Sequence, residues 1–204
     1  QKILILERLI QDLYELARLE SRQMHFSWHA MNIPDFISEC ILPFEIEVEK
    51  YGRQFYHENL IAYDEQAYEI IIDINRMKQV LQNLVNNAIR YTEQGGKISI
   101  KLRFAKGKGK ENNEADEQQY LQVSVCDTGK GMREETVKHI FDRFYQEEKS
   151  RGTNAGLGLT IAKEIIHYHK GTMWAESEFG KGSCFHFLIP LHEKRSEEVK
   201  QIEE

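Results

Sequence analysis

Apolar residues at the start of the chain recur every three or four positions: Ile3, Leu6, Ile10, Leu13 and Ala17, with Leu9 and Leu16 beside them and Met24 a heptad further on. That spacing predicts one helix with a single apolar stripe, either an amphipathic helix covering its own domain or a member of a bundle or coiled coil. The strength of the stripe at the very beginning of the chain favours the bundle. The pattern changes near residue 25, where a domain boundary is expected. Asn32-Ile33-Pro34-Asp35 reads as a helix entry, with Phe36, Ile37, Cys40 and Ile41 at helical spacing before Pro43. Residues 51–63 and 68–72 alternate or run in β-branched and aromatic residues, which predicts two short strands around an Asp64-Glu65 turn.

Asp73 is placed to cap a long helix over 76–91. Met77, Val80, Leu81, Leu84, Val85 and Ala88 form its buried face, Gln79, Asn83, Asn87 and Arg90 lie elsewhere around it, and Gly95-Gly96 follow its end. Strands are expected at 97–104 and 120–126, flanking a solvated hairpin insertion over 105–119 that is rich in lysine, glycine, acids and asparagine. A short helix at 134–141, a loop to Ala155, a helix at 157–169 and two closing strands at 172–178 and 183–190 complete the pattern. Gly180-Lys181-Gly182 turns between the last two strands, and the charged tail from His192 is expected to fray.

The chain has 204 residues, 41% of them apolar and 29% charged, an ordinary globular composition, and none of its apolar runs approaches the roughly 18 residues of a membrane span. With 27 basic and 33 acidic residues its net charge is −6, so it lacks the broad basic field used by nucleic-acid binders; no nucleic-acid partner is expected, and any bound phosphates must be met locally. Cys40, Cys126 and Cys184 are odd in number, far apart and set in apolar stretches, and read as reduced core residues of a cytosolic protein. A first residue Gln1, with no signal-peptide pattern, suggests a piece of a longer protein.

Three motifs carry chemistry. Asn83 and Asn87, four apart, project from one helix face with Arg90 and Tyr91 on the next turn. An amide oxygen is a hard ligand that suits Mg²⁺, and an adjacent Arg or Tyr can grip phosphate, although paired asparagines also serve as caps and surface residues. Asp127-Thr128-Gly129-Lys130-Gly131-Met132 follows a strand; an acid there, before glycines that permit close approach, can accept a hydrogen bond from an exocyclic amine such as adenine's, or can simply make a turn. Gly156-Leu157-Gly158-Leu159 opens a helix whose free N–H groups make an anion site. Neither a P-loop nor a Rossmann fingerprint is present. Between these motifs, Phe141 and Phe144 can plug a core, while Arg143, Lys149 and Arg151 are available to phosphate; residues 145–155 read as a lid or as a polar surface loop.

In this order the elements resemble the sensor histidine kinases and their wider superfamily of gyrase, heat-shock chaperone and mismatch-repair ATPases. The matching pieces are Gln79-Val80-Leu81-Gln82-Asn83-Leu84-Val85-Asn86-Asn87-Ala88, the glycine motif from Asp127 to Gly131, Phe141 to Phe144, Gly156 to Leu159, and Gly171-Thr172 through Gly180-x-Gly182-Ser183-x-Phe185. The resemblance implies a two-layer α/β sandwich of Bergerat type, with helices on one face of a mixed, mostly antiparallel sheet. It divides the chain into a bundle helix (1–24, the second helix of a dimerisation and phosphotransfer hairpin), a catalytic ATP-binding domain (25–195) and a charged tail (196–204).

Carried over residue by residue, the resemblance gives Asn87 the Mg²⁺ that bridges ATP phosphates and Asn83 a supporting contact. Arg90 and Tyr91 then flank phosphate and ribose, Asp127 reads the adenine amine, Gly129 and Gly131 allow close approach, and Met132 and Ser183 are further nucleotide-binding residues. Gly156, Leu157, Gly158 and Leu159 present the phosphate loop, and Arg143 reaches the γ-phosphate on lid closure. Asn154 stands where the family usually has glycine. Hydrolytic relatives place glutamate at the Asn83 position, and an amide cannot act as that base, so phosphoryl transfer is implied over hydrolysis. The implied activity is transfer of the ATP γ-phosphoryl to a histidine on the upstream dimerisation helix or on a second subunit, and onward to an aspartate of a response regulator receiver domain. The full-length protein is then expected to be a homodimer, with this region cytoplasmic and membrane anchoring of the parent left open. None of the eight histidines fits the acceptor pattern; His57-Glu58-Asn59 is the nearest. A nucleotide-gated interaction module without phosphoryl transfer is the alternative reading.

Overall fold

The computed structural model describes residues 2–61, 68–108, 117–146 and 156–193. The Asp64-Glu65 turn, the middle of the 105–119 insertion, most of the 145–155 lid including Lys149, Arg151 and Asn154, and the 196–204 tail lie outside the described residues.

Helix α1 (Lys2–Glu20) leads into strand β1 (His29–Asn32) and a short helix α2 (Ile33–Phe36) that continues through a π-helical turn over Ile37–Ile41. Asn32 caps α2, its side chain accepting from the Asp35 N–H, as Asn-x-Pro-Asp suggests. Helix α3 (Pro43–Lys50), strands β2 (Gln54–Asn59) and β3 (Tyr68–Ile72), helix α4 (Ile74–Tyr91) and the long strands β4 (Lys97–Lys108) and β5 (Glu117–Asp127) follow. Helices α5 (Glu134–His139) and α6 (Gly158–Tyr168) precede the closing strands β6 (Thr172–Glu178) and β7 (Gly182–Glu193).

One sheet runs in the order β1-β3-β7-β5-β4-β2, with β6 paired to the first part of β7. Among the described pairings only β2 with β4 is parallel, so the fold is the expected α/β sandwich on a mixed, mostly antiparallel sheet. Alternate residues face the helices: Ile98, Ile100 and Leu102 of β4, Leu121, Val123 and Val125 of β5, and Phe185, Phe187 and Ile189 of β7 are all buried. They pack against Met77, Val80, Leu81, Leu84 and Val85 of α4 and Ile161, Ile165 and Ile166 of α6. The same alternation carries past the core to Asp127, which faces Ser183 in register at the sheet's end.

Four expectations are corrected. The strands at β2 and β3 do not pair around a turn; they lie at different places in the sheet, because Ile70 and Ile72 of β3 are needed in the core beside β7. The ladder of β4 and β5 runs out to Lys108 opposite Glu117, so the ends of the 105–119 segment are sheet; backbone pairing needs no apolar side chains. His192 and Glu193 pair with Glu69 and Tyr68, extending β7 into the expected frayed tail. Cys126 and Cys184 are directly opposite across β5 and β7, with Cα atoms 4.0 Å apart, and form a disulfide. Only Cys40 is a free buried thiol, its pKa pushed up to about 11 by burial. Sequence separation concealed a pairing that strand register creates.

Helix α1 has a buried face and an exposed one. Leu16 and Leu19 are buried where α1 lies against α6, each contributing about 2 kcal/mol by burial. Leu6, Ile10 and Leu13 of the a/d-like stripe stay exposed. Arg76 and Gln79 of α4 both bond Glu15 of α1, at 2.5 and 2.8 Å, and the Tyr168 hydroxyl donates to the Leu19 carbonyl. No described helix is long and apolar enough to cross a membrane.

Candidate active site

A cleft opens at the end of the sheet between α4, the segment after β5, the start of α6 and the β6–β7 hairpin. Asn83, Asn87, Arg90, Tyr91, Asp127, Gly131, Met132, Gly156, Gly158, Leu159 and Ser183 line it, so most residues singled out from sequence converge on one site. Gly129, Leu157 and Arg143 do not line it. Gly129 lies behind the wall, donating its N–H to Asp127 Oδ1 at 2.8 Å, and Leu157 is fully buried beneath the start of α6. Arg143 points away and pairs with Glu20 of α1.

Each wall has a local cause. Asp73 caps α4 by accepting from the Arg76 N–H at 3.0 Å, which fixes the helix phase and sets Asn83 and Asn87 one turn apart toward the cleft. The Asn83 amide is committed, donating to the Gly158 carbonyl at 2.9 Å and tying α4 to α6. Among the described residues the Asn87 side chain has no such partner, leaving its amide oxygen for the cleft. Burial pushes the Asp127 carboxyl pKa up, and the Gly129 and Ser183 backbone N–H groups that bond it pull it partly back. The result is a desolvated, oriented acceptor that suits an amine donor.

Glycines are required where backbones meet. At Gly131 (φ +64°) a Cβ would fall 2.0 Å from the Glu178 carbonyl oxygen, and at Gly156 (φ +72°) it would fall 2.9 Å from Tyr145 O. Ser177 joins these pieces: its hydroxyl accepts from the Met132 N–H and donates to the Gly182 carbonyl, both at 2.8 Å. Below, Phe141 meets Phe185 edge-on at 6.2 Å, and Thr160 donates to the Phe141 carbonyl. Phe141 is thus held against the core, whereas Phe144 is exposed and does not plug it as expected.

The cleft also contains residues given no role from sequence: Asp12 of α1, Gln79, Lys130, Thr136, Tyr145, Gln146 and Phe185. Gln79 was legible as the residue one turn before Asn83, and Lys130 as the residue between two constrained glycines. Asp12 carried no local signal, since only the docking of α1 brings it there. Among the described residues no cluster of three or more His, Cys, Asp or Glu is placed to hold a metal ion.

A family model for histidine kinase-, DNA gyrase B- and HSP90-like ATPases matches residues 72–193. The sensor histidine kinase WalK of Bacillus subtilis is 34% identical over 94% of this chain and 29% of its own length. An adaptive-response sensory kinase SasA of Prochlorococcus marinus (strain MIT 9215) is 32% identical over 97% of this chain and 49% of its own. The chain therefore spans less than half the length of these relatives. Among solved structures, the nucleotide-free catalytic domain of histidine kinase ThkA matches with a TM-score of 0.62 at 31% identity, covering 81% of this chain and 96% of that domain. ThkA in complex with the response regulator TrrA matches with a TM-score of 0.65 at 30% identity, covering 91% of this chain and 48% of that one. The fold, the cleft and these matches agree: the chain belongs to the family of histidine kinase-, DNA gyrase B- and HSP90-like ATPases, as an ATP-binding domain of the histidine kinase branch.

Proposed function

We propose that this chain is the catalytic part of a protein-histidine kinase, transferring the γ-phosphoryl of Mg-ATP to a histidine outside the chain for onward transfer to a response regulator aspartate. The observation that carries this is the convergence of the buried Asp127 carboxylate and the uncommitted Asn87 amide on one cleft, the first at the end of β5 and the second on α4. Asp127 accepts from the adenine amine and so selects the base. Met132 and Ser183 close that pocket, and Arg90 and Tyr91 stand beside ribose and phosphate.

The donor set fits magnesium: Asn87 offers a neutral hard oxygen, and the remaining ligands are phosphates and water. Bound Mg²⁺ supplies charge neutralisation of the triphosphate. The free N–H groups at the start of α6, opened by Gly156 and Gly158, face phosphate oxygens. Asn83 holds α4 to α6 through Gly158 and provides no base for water. Catalysis then rests on positioning and charge, with Arg143 entering when it leaves Glu20. Helix α1 is read as the second helix of the phosphotransfer hairpin, its exposed Leu6, Ile10 and Leu13 facing the rest of a dimeric bundle, and residues 25–195 as the catalytic domain.

Incubating this chain with Mg-ATP and a separately prepared acceptor hairpin tests the assignment: acid-labile, base-stable phosphate on the hairpin is expected, and ATP binding without any transfer overturns it. A second reading, a nucleotide-gated interaction module, draws on the contact between Glu20 and Arg143, which couples α1 to the cleft region. Asn87→Asp separates the two: as a kinase it loses phosphotransfer while ATP-independent partner binding persists.

A further inference from the structure

We propose that Lys130 is a further phosphate contact of this site, working with Arg90 against the ring of Tyr91; this rests on the nucleotide reading above. Lys130 and Arg90 are the cations among the described residues lining the cleft, since Arg143 is turned to Glu20. The Lys130 Nζ lies 5.2 Å from the Tyr91 ring centroid, and the Arg90 guanidinium carbon lies 5.6 Å from the same centroid.

The backbone beneath Lys130 is fixed on both sides. Its N–H donates to the Tyr91 carbonyl at 3.3 Å, and its own carbonyl accepts from the Gly180 N–H at 2.7 Å. The flanking glycines allow no slack: a Cβ on Gly129 would fall 2.3 Å from Tyr91 O, and one on Gly131 would fall 2.0 Å from Glu178 O. Lys130 therefore springs from a rigid point three residues beyond Asp127, at the last turn of α4.

That turn is the negative end of the helix dipole, an unfavourable place for phosphate unless cations offset it. Lys130 and Arg90 place those cations beside Tyr91. A nucleotide whose base is held at Asp127 would carry its first phosphates toward this place, while Asn87 and Asn83 lead away along α4. A lysine suits the task because a point charge on a flexible stem follows a phosphate without demanding bidentate geometry.

The test is calorimetric titration of the intact chain with Mg-ATP, Mg-ADP and adenosine, for wild type, Lys130→Met, Lys130→Gln and Lys130→Arg. Loss of the contact weakens Mg-ATP and Mg-ADP by about tenfold in the Met and Gln variants. Adenosine affinity stays within about twofold, Lys130→Arg recovers most of the loss, and the difference shrinks as salt is raised. Nucleotide affinity unchanged in folded Met and Gln variants, or a parallel loss of adenosine, overturns the inference. A wild type that binds neither nucleotide overturns the nucleotide reading itself.

Discussion

Arg143, in the segment after α5, donates to the carboxylate of Glu20 in the last turn of α1, so an acid of α1 holds the cation proposed to reach the γ-phosphate. The pair is half exposed, at 55% and 35% of the two side chains, which limits its worth to about 0–1 kcal/mol. Glu20→Gln is therefore predicted to tighten Mg-ATP binding by about two- to fivefold at low salt while leaving Mg-ADP unchanged. Parallel titrations of the two nucleotides check this, and an unchanged ratio removes the competition between Glu20 and phosphate.

Asp127 is buried at the cost of desolvating its carboxylate, and its folded pKa is raised. The folded state therefore takes up a proton before the unfolded state does. The burden of burying the charge is present at neutral pH and disappears as pH falls through the raised value. Asp127→Asn is predicted to melt at the same or a higher temperature than wild type at pH 7, yet to bind ATP about 100-fold more weakly. Thermal melts and titrations on one preparation separate the two effects. Wild-type affinity for ATP is likewise expected to begin falling at a pH above the ordinary 3.8 of an aspartate.

His169 is a structural residue, buried and held as the neutral imidazole. Its Nε2 accepts from the Asp73 N–H at 3.1 Å, so Nδ1 carries the proton toward the Ile165 carbonyl at 2.7 Å. Burial depresses its pKa below 6.5. A histidine kept neutral when folded contributes stability above 6.5, and that contribution is lost as pH falls from 6.5 toward the lower folded value. Urea midpoints are predicted to drop between about pH 7.5 and 5.5. His169→Phe, which keeps a ring against Phe26 and Trp28, should flatten that drop while lowering stability at the upper end.

Gly131→Ala probes the close approach of the glycine loop to the closing hairpin. A positive φ and a Cβ 2.0 Å from a carbonyl oxygen leave no unstrained solution. A loss of about 3 kcal/mol in unfolding free energy is predicted, read by denaturant titration. Gly180→Ala is the control, because a Cβ there meets nothing within 4 Å and only its φ of +85° is strained.

Much of this was legible because period and chemistry coincided. The stripe of Met77, Val80, Leu81 and Leu84 fixed α4 and with it the direction of Asn83 and Asn87, and the alternation in β5 that buries Val123 and Val125 also turned Asp127 toward the helices. What stayed hidden depended on contacts between distant segments. Strand β1 is four residues long and buries little by itself, α3 has only Phe44 and Val48 buried, and the facing of Cys126 and Cys184 exists only in the β5–β7 register. The cleft's borrowed residue Asp12 and the turn of Arg143 toward Glu20 both follow from the docking of α1 through Leu16 and Leu19, which no local pattern encodes.

The central claim is most directly tested by titrating ATP into the wild-type chain and Asp127→Asn, with and without magnesium. Saturable uptake by wild type that strengthens with magnesium, and affinity lower by about two orders of magnitude in the variant, is the predicted result. No uptake by folded wild type, or equal uptake by the two proteins, would contradict it.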